Sequence, residues 1–350
     1  MDTITLTING RKVEAQEGMT VLQAAQAAGI YIPTLCADPH LKPYGACRVC
    51  LVEVEGMAGL PASCTTQAAE GMTVHTQSPR LDRIRRHVVE LLLAHGHEDC
   101  VTCALNQACQ LQEVAAYVGV RERPYRGAVR TYPMDDSNPF FVLDLNKCIL
   151  CARCVRACDE LQGRDVYRFA HRGFWTQVAP GLGQAMIDSV CESCGQCVAH
   201  CPTGALYDKA AYTWGRPTRE VRTICPYCGV GCGLYLQMRD NQVIGMRGDP
   251  DNPVNWGRAC VKGRYGYEFI NHQERLTKPL IRRNGRFEEA TWDEALDLVA
   301  ERLREIRDTY GPDALAVLSS AKCTNEENYL LQKLARAVLG TNNVDHCARL

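Results

Sequence analysis

Cys148, Cys151, Cys154 and Cys158 form a C-x2-C-x2-C-x3-C run that Cys191, Cys194, Cys197 and Cys201 repeat, and no other feature of the chain constrains its fold as tightly. Each run supplies thiolates for a 4Fe-4S cube, and in doubled runs of this spacing the fourth cysteine binds the other cluster. Cys148, Cys151 and Cys154 are thereby paired with Cys201, and Cys191, Cys194 and Cys197 with Cys158. Residues 138–212 are expected to fold as one body, because each cluster would tie the two halves together. The second run ends in Cys201-Pro202, as the pattern expects. The first has Asp159 in place of proline, a residue that shapes the turn without binding iron.

Three further sets of cysteines follow the same logic. Cys225-Pro226-Tyr227-Cys228-Gly229-Val230-Gly231-Cys232 places thiols at C-x2-C-x3-C, and Cys260 comes after 27 more residues. These four suit another 4Fe-4S cube, with glycines that let the backbone fold tightly around it. A zinc site is the alternative, and the iron-sulfur spacing of the other cysteine groups weighs against it. Cys36, Cys47, Cys50 and Cys64, at C-x10-C-x2-C-x13-C, match the four thiolates of a 2Fe-2S cluster, and Gly45 frees the loop before Cys47. Cys100, Cys103 and Cys109 are only three. A histidine completes such a set and, by removing negative charge, raises the potential as it does in Rieske centres. His97 is preferred to His95 because it lies beyond the preceding helix, in the loop with the cysteines. Of the 21 cysteines only Cys323 and Cys347 fall outside the five sets, and Cys323 reads as a packed thiol.

An odd cysteine count argues against a fully paired disulfide framework. The first residues, Met1-Asp2-Thr3-Ile4-Thr5, carry no basic region followed by an apolar one, and no apolar run approaches the roughly 18 residues that span a bilayer. The thiols are therefore read as reduced, metal-binding and cytoplasmic. A net charge of -1 with mixed signs gives no reason to invoke nucleic acid or a membrane surface.

Local patterns divide the chain into modules. In residues 1–78, Thr3 to Ile8 alternates, Asn9-Gly10 signals a hairpin, Lys12 to Ala15 returns, and a short helix runs from Thr20 to Gly29. In residues 79–120, Leu81, Ile84, Val88, Leu91 and Leu92 recur at helical spacing ahead of the three cysteines. After the doubled run come residues 222–275, with the Cys225 set, and residues 276–350. There Thr291-Trp292-Asp293-Glu294 is a capping box opening a helix with an inward stripe of Leu296, Val299, Leu303 and Ile306. Ala314 to Leu318 reads as a buried strand. Thr324-Asn325-Glu326-Glu327 caps a second helix that points Leu331, Leu334 and Val338 inward before Gly340, and Val344 begins another strand. Helix, strand, helix, strand in this order implies an α/β sheet with ligands at the carboxyl ends of its strands. Lys322, Asn325 and Glu326 occupy that position and are candidate cofactor contacts.

The Cys225 segment closely resembles the opening of the molybdenum or tungsten bis-pterin oxidoreductases, in which a lysine placed like Lys262 lies between cluster and pterin. The Cys36 set is similar to the ferredoxin-like domain of respiratory complex I large subunits, iron-only hydrogenases and NAD-linked formate dehydrogenases. Related histidine-bearing domains usually place the ligand four residues before the first cysteine, where this chain has Gly96. Asn325-Glu326-Glu327-Asn328-Tyr329 through Gly340 to Leu350 strongly resembles formate dehydrogenase catalytic subunits. The order of modules over all 350 residues is that of NAD-linked formate dehydrogenase large subunits.

The resemblance implies an α+β multidomain fold: a β-grasp 2Fe-2S domain, a histidine-bearing 4Fe-4S domain, a double 4Fe-4S ferredoxin domain, and the start of an α/β bis-pterin domain. It implies one 2Fe-2S cluster, four 4Fe-4S clusters and a molybdenum or tungsten bis-molybdopterin guanine dinucleotide. Formate would be the substrate, and a flavin- and NAD-binding diaphorase-type subunit or another redox partner the acceptor. In that family the metal-binding cysteine or selenocysteine and a catalytic histidine follow the stretch ending at Leu350. No catalytic residue is therefore expected within the chain, which alone should be inactive, and a UGA codon after Leu350 is the simplest expectation. The contrasting reading is an electron-transfer subunit akin to complex I or hydrogenase wiring domains.

Overall fold

The computed structural model describes residues 2–96 and 99–347, Cys347 by its backbone alone. They form two compact units, the first running to Gly215 and the second beginning at Arg216. No helix among the described residues is long and apolar enough to cross a membrane.

In the first unit, β1 (Thr3–Ile8) turns at Asn9-Gly10 into β2 (Arg11–Gln16), with Ile8 opposite Arg11. Both turn residues have positive φ, 52° and 77°, which a two-residue hairpin of this twist demands. Alternation sends Leu6, Ile8, Val13 and Ala15 into the core. Helix α1 (Val21–Ala27) packs there, opened by a capping box in which the Thr20 hydroxyl accepts from the Gln23 N–H and the Gln23 side chain accepts from the Thr20 N–H. β3 (Glu53–Val54) and β4 (Thr73–His75) complete a mixed sheet ordered β2-β1-β4-β3, with β1 and β4 parallel. Cys50 and Cys64 belong to the same core, so the cysteine-bearing loop is anchored by the sheet's own packing.

α2 (Pro79–Ala94) starts at Ser78, whose hydroxyl accepts from the Leu81 N–H, and places Pro79 in the first turn, where a missing N–H costs nothing. Its inner face is rotated from the expected stripe. Leu81, Arg85 and Val89 are buried, while Leu91 is 60% exposed. Arg85 is the cause: its guanidinium donates to the carbonyls of Thr76 at 2.8 Å and Leu51 at 2.6 Å, so a charged residue holds the centre of the face. α3 (Gln110–Tyr117) adds Val114 and Ala115 to the apolar cluster around Val89.

The doubled cysteine region runs through β5 (Phe141–Leu143), α4 (Arg153–Arg156), the antiparallel hairpin of β6 (Tyr167–Ala170) and β7 (Gln177–Pro180), α5 (Gln196–His200), β8 (Leu206–Asp208) and α6 (Lys209–Trp214). β5 and β8 pair antiparallel, Phe141 opposite Asp208, and so join the start of the first run to the end of the second.

In the second unit, β9 (Arg219–Ile224), β10 (Gly233–Arg239) and β11 (Gln242–Gly248) make an antiparallel sheet with β10 central. The segment from Cys225 to Cys232 connects β9 to β10. α7 (Val261–Tyr265) and α8 (Glu268–Asn271) follow, then a hairpin of β12 (Leu280–Arg283) and β13 (Arg286–Glu289). α9 (Trp292–Tyr310), β14 (Val317–Ser320), α10 (Asn325–Lys333) and β15 (Val344–Cys347) come last, β14 and β15 pairing in parallel with α10 as crossover.

Both expected capping boxes form, Thr291 with Glu294 and Thr324 with Glu327. The expected inner faces differ. Leu296 and Val299 are 57% and 53% exposed, and α9 is tied near its end to the Leu334–Leu339 turn, where Arg307 donates to the Val338 carbonyl. That turn, which follows α10, is π-helical and shifts the side-chain phase. Ala335 and Leu339 are consequently buried, and Leu334 and Val338 face outward. The strand expected from Ala314 begins at Val317 instead. Residues Pro312–Ala314 form a 3-10 turn, whose Asp313 carbonyl accepts from the Asn343 side chain.

Candidate metal centres

Cys36, Cys47, Cys50 and Cys64 are all buried. The Cys47 N–H donates to Cys36 Sγ at 3.5 Å. Gly45, at φ +73°, passes so close to Thr65 that a Cβ would lie 3.1 Å from its methyl. The four thiols also bond among themselves. Hydrogen bonds from Cys47 and then Cys64 hold Cys36 far below the ordinary thiol range, and Cys64 holds Cys50 down to about 7. The same bonds with Cys36 push Cys47 and Cys64 up. Four thiols sharing protons this closely suit a small cluster that replaces those protons with iron.

Cys100, Cys103 and Cys109 line a cavity of about 470 Å3 between α2, α3 and the Lys147-Cys148 and Thr203-Gly204 segments. Burial pushes the Cys109 thiol up. Gly204 is required here, since a Cβ would stand 2.6 Å from Cys103 Sγ and 3.2 Å from Lys147 Cδ. Lys147 reaches Asp99 Oδ2 at 3.1 Å and Asp144 Oδ2 at 3.2 Å. Burial works against its charge, yet these two carboxylates hold its pKa above the ordinary lysine value. His95 does not line the cavity among the described residues. Its Nδ1 lies 3.4 Å from Arg130 Nη2 and its ring meets Phe174 edge-on, with burial and then Arg130 lowering its pKa. His97 lies outside the described residues.

The doubled run is a repeat in conformation as well as in sequence. Leu150 and Ala152 have φ of 54° and 61°, and Ser193 and Gly195, at the same offsets in the second run, have 54° and 72°. Each left-handed loop turns its N–H groups inward: Leu150 donates to Cys148 Sγ at 3.4 Å and Ser193 to Cys191 Sγ at 3.3 Å. Burial raises Cys148 to about 11 and Cys151 to about 12. Burial and then the fields of Cys151, Cys148 and Cys201 raise Cys154. Cys158 is raised by burial and the neighbouring Cys194 and Cys191, and Cys197 by burial and then Cys194, Cys191 and Cys158. The structure thus gathers Cys148, Cys151, Cys154 and Cys201 on one side and Cys158, Cys191, Cys194 and Cys197 on the other.

In the second unit the Cys225 N–H donates to the Cys232 carbonyl at 2.8 Å, closing the loop, and Cys260 stands at the head of α7. Burial pushes Cys225 and Cys232 up, with Cys260 and Cys228 among the neighbours of each. Lys262 is exposed in α7, and its charge reaches the Tyr227 hydroxyl. Asn325 Nδ2 donates to the Gly229 carbonyl at 2.7 Å, and a Cβ on Gly229 would lie 2.6 Å from Asn325 Oδ1. Asn325 is thereby brought to the cysteine loop. Lys322, whose N–H donates to Ser320 Oγ at 3.0 Å, and Glu326, in the first turn of α10, are exposed. Cys323 is half-buried.

Among the described residues no three of His, Cys, Asp and Glu converge tightly enough to share a single ion. On a 4Fe-4S cluster each thiolate binds a different iron, and on a 2Fe-2S cluster each iron takes two, so neither brings three side chains to one ion.

Sequence reasoning missed the basic side chains around these centres. Arg156 donates to the carbonyls of Cys36, at 2.6 Å, and Lys42, and Arg153 to Gln110 Oε1, at 2.9 Å, and the Ala37 carbonyl. His200 Nδ1 lies 2.8 Å from Asp38 Oδ2. Their partners lie more than a hundred residues away in sequence or, for Arg153 and Gln110, in a different module, so no local pattern announces them.

Comparison with known proteins covers most of the chain. Residues 1–79 match the 2Fe-2S iron-sulfur cluster binding domain, and residues 85–124 the NADH-ubiquinone oxidoreductase-G iron-sulfur binding region. Residues 138–207 match the ferredoxin-like domain of NADH-quinone oxidoreductase subunit 3. Residues 218–272 match the molybdopterin oxidoreductase Fe4S4 domain, and residues 275–350 the molybdopterin oxidoreductase family. The NADPH-Fe(3+) oxidoreductase subunit alpha of Geobacter sulfurreducens is 37% identical over 99% of this chain and 40% of its own length. A putative formate dehydrogenase of Staphylococcus aureus is 32% identical over 99% of this chain and 39% of its own. The chain thus spans about 40% of the length of the curated relatives it matches. In a crystal structure of an NAD+-reducing [NiFe]-hydrogenase, one chain is 34% identical, with a TM-score of 0.57 over 59% of this chain and 88% of that one.

Proposed function

We propose, for a chain that belongs to the iron-sulfur molybdopterin oxidoreductases, that its residues serve formate oxidation by wiring a pterin site to a flavin- and NAD-binding partner subunit. The observation that carries this reading is the bond from Asn325 to the Gly229 carbonyl, which sets a candidate pterin contact against the Cys225 loop. The resemblance of residues 325–350 to formate dehydrogenases and the 32% identity to a putative formate dehydrogenase support formate as the substrate.

Cys36, Cys47, Cys50 and Cys64 would hold a 2Fe-2S cluster. His97 with Cys100, Cys103 and Cys109, the two gathered sets of the doubled run, and Cys225, Cys228, Cys232 and Cys260 would hold four 4Fe-4S clusters. Lys262, Lys322, Asn325 and Glu326 would face a molybdenum or tungsten bis-molybdopterin guanine dinucleotide. When bound, the clusters supply one-electron transfer and the pterin-held metal the two-electron exchange with formate. The chain's own contribution is electrostatic and steric. Thiols raised by burial stay protonated until metal displaces the proton, inward N–H groups stabilise the charged sulfurs, and the apolar walls keep water out.

The test is anaerobic addition of formate to a metal-loaded full-length protein that carries these residues, with its partner, following bleaching of cluster absorbance and reduction of NAD or NADP. Formate-dependent bleaching supports the proposal. Bleaching by NADPH but not by formate would replace it with a second reading, electron intake from a reduced nicotinamide, which the similarity to an NADPH-Fe(3+) oxidoreductase subunit favours.

A further inference from the structure

The two halves of the doubled run share spacing, left-handed backbone positions and an N–H bond to their first sulfur, so their own loops give the two clusters matching surroundings. The segment between the runs breaks that symmetry. Toward Cys148, Cys151, Cys154 and Cys201 it contributes Val178, an apolar wall. Toward the other set it contributes two donors, one from the residue before β6 and one from its first residue. The Val166 N–H reaches Cys158 Sγ at 3.3 Å and the Tyr167 hydroxyl reaches Cys197 Sγ at 3.5 Å. Tyr167 is 1% exposed, so no water competes for its proton. On the first set, Cys201 Sγ faces the Thr203 carbonyl at 3.1 Å, while the Thr203 hydroxyl donates to the Lys147 carbonyl at 2.8 Å.

We propose that Tyr167 sets the reduction potential of the cluster held by Cys158, Cys191, Cys194 and Cys197, by donating a hydrogen bond to the Cys197 sulfur. This rests on the cluster reading of the cysteines. With iron bound, Cys197 Sγ has no proton and accepts only. Reduction adds one electron to the cluster and moves no proton. The added negative charge strengthens the Tyr167 bond in the reduced form more than in the oxidised form, which raises the potential. Tyr167 is a positioning residue, and its signature is a potential confined to one cluster.

The experiment is a redox titration of the metal-loaded protein, followed by low-temperature electron spin resonance. Tyr167→Phe keeps the ring and removes the hydroxyl. It should lower one 4Fe-4S potential by roughly a tenfold shift in the reduction equilibrium, about 59 mV for one electron. Replacing Tyr167 by fluorotyrosine, a stronger donor, should raise the same potential. Tyr132→Phe, which removes another buried hydroxyl, should move none. Absence of the second ferredoxin-type cluster from the parent protein fails the cluster reading itself. A full set of clusters with unmoved potentials in Tyr167→Phe, or an equal shift in all of them, overturns the role of Tyr167. If Tyr167→Phe loses the cluster, the fluorotyrosine protein decides: an unmoved potential there refutes the proposal.

Discussion

Arg156 is the side chain whose removal should do most to loosen the loop of the proposed 2Fe-2S cysteines without replacing any of them. It is buried, it donates to the Cys36 and Lys42 carbonyls, and its guanidinium lies 5.3 Å from the centre of the Tyr44 ring. Arg156→Met removes two charge-assisted bonds, each worth about 1.5–3 kcal/mol, and leaves two carbonyls short of a donor. Relief of the buried charge offsets about 1–3 kcal/mol of that loss. A net local loss of about 2.7 kcal/mol corresponds to roughly a hundredfold change in an opening equilibrium. Amide hydrogen exchange reads that equilibrium directly. The N–H groups of Ala37, Leu41 and Lys42 are bonded to Thr34 Oγ1, the Asp38 carbonyl and Glu160 Oε2, and their protection should fall about a hundredfold. Protection in β1 and α1, whose packing does not involve Arg156, should stay within a factor of about two. Arg156→Lys keeps the charge and loses the two-pronged geometry, so it should fall between. Unchanged protection of residues 37–42 in Arg156→Met, or equal loss across the whole first unit, would refute the clamp.

Three further outcomes follow from particular contacts. Gly204→Ala should remove the signal of the three-cysteine 4Fe-4S centre and spare the others, because its Cβ would stand 2.6 Å from Cys103 Sγ; spin resonance on the variant checks this. His97→Ala should likewise alter one 4Fe-4S signal and His95→Ala none, since the His95 ring is engaged with Arg130 and Phe174; a change in the His95 variant alone would reverse the assignment. Glu220 is bonded to Arg247, at 2.7 Å for Nε, and that guanidinium holds its pKa below the ordinary carboxylate value. Its folded pKa is therefore below its unfolded one, so its small contribution to stability is complete above about pH 4.3 and is lost as pH falls through the folded value. Denaturation midpoints of Glu220→Gln and the parent should differ at neutral pH and converge in acid, whereas a constant gap would contradict the pairing.

The parts of the fold that were legible in the sequence are those fixed by neighbouring residues. Asn9-Gly10 supplies the two positive φ values that its hairpin needs, and Thr20, Thr291 and Thr324 each close on a glutamine or glutamate three residues on. The cysteine spacings likewise specify loops, because a left-handed turn at fixed offsets follows from wrapping a cluster. Ala152 shows the limit of that legibility, since it takes the conformation that Gly195 takes in the second run without the residue type that would announce it. Burial was read less well where a charge or a change of helical phase intervenes. Arg85 sits inward on α2 because its guanidinium finds two carbonyls, and the π-helical turn after Lys333 moves the inner face from Leu334 and Val338 to Ala335 and Leu339. Tyr167, Arg153 and Arg156 act through partners distant in sequence, which no periodicity encodes.

The central claim is that these residues hold five separate iron-sulfur centres. Iron and acid-labile sulfide analysis of anaerobically prepared protein, with spin quantitation of its fully reduced form, tests it most directly. One 2Fe-2S and four 4Fe-4S clusters require about eighteen iron and eighteen sulfide per chain. About eight of each, the content of the doubled run alone, would contradict it.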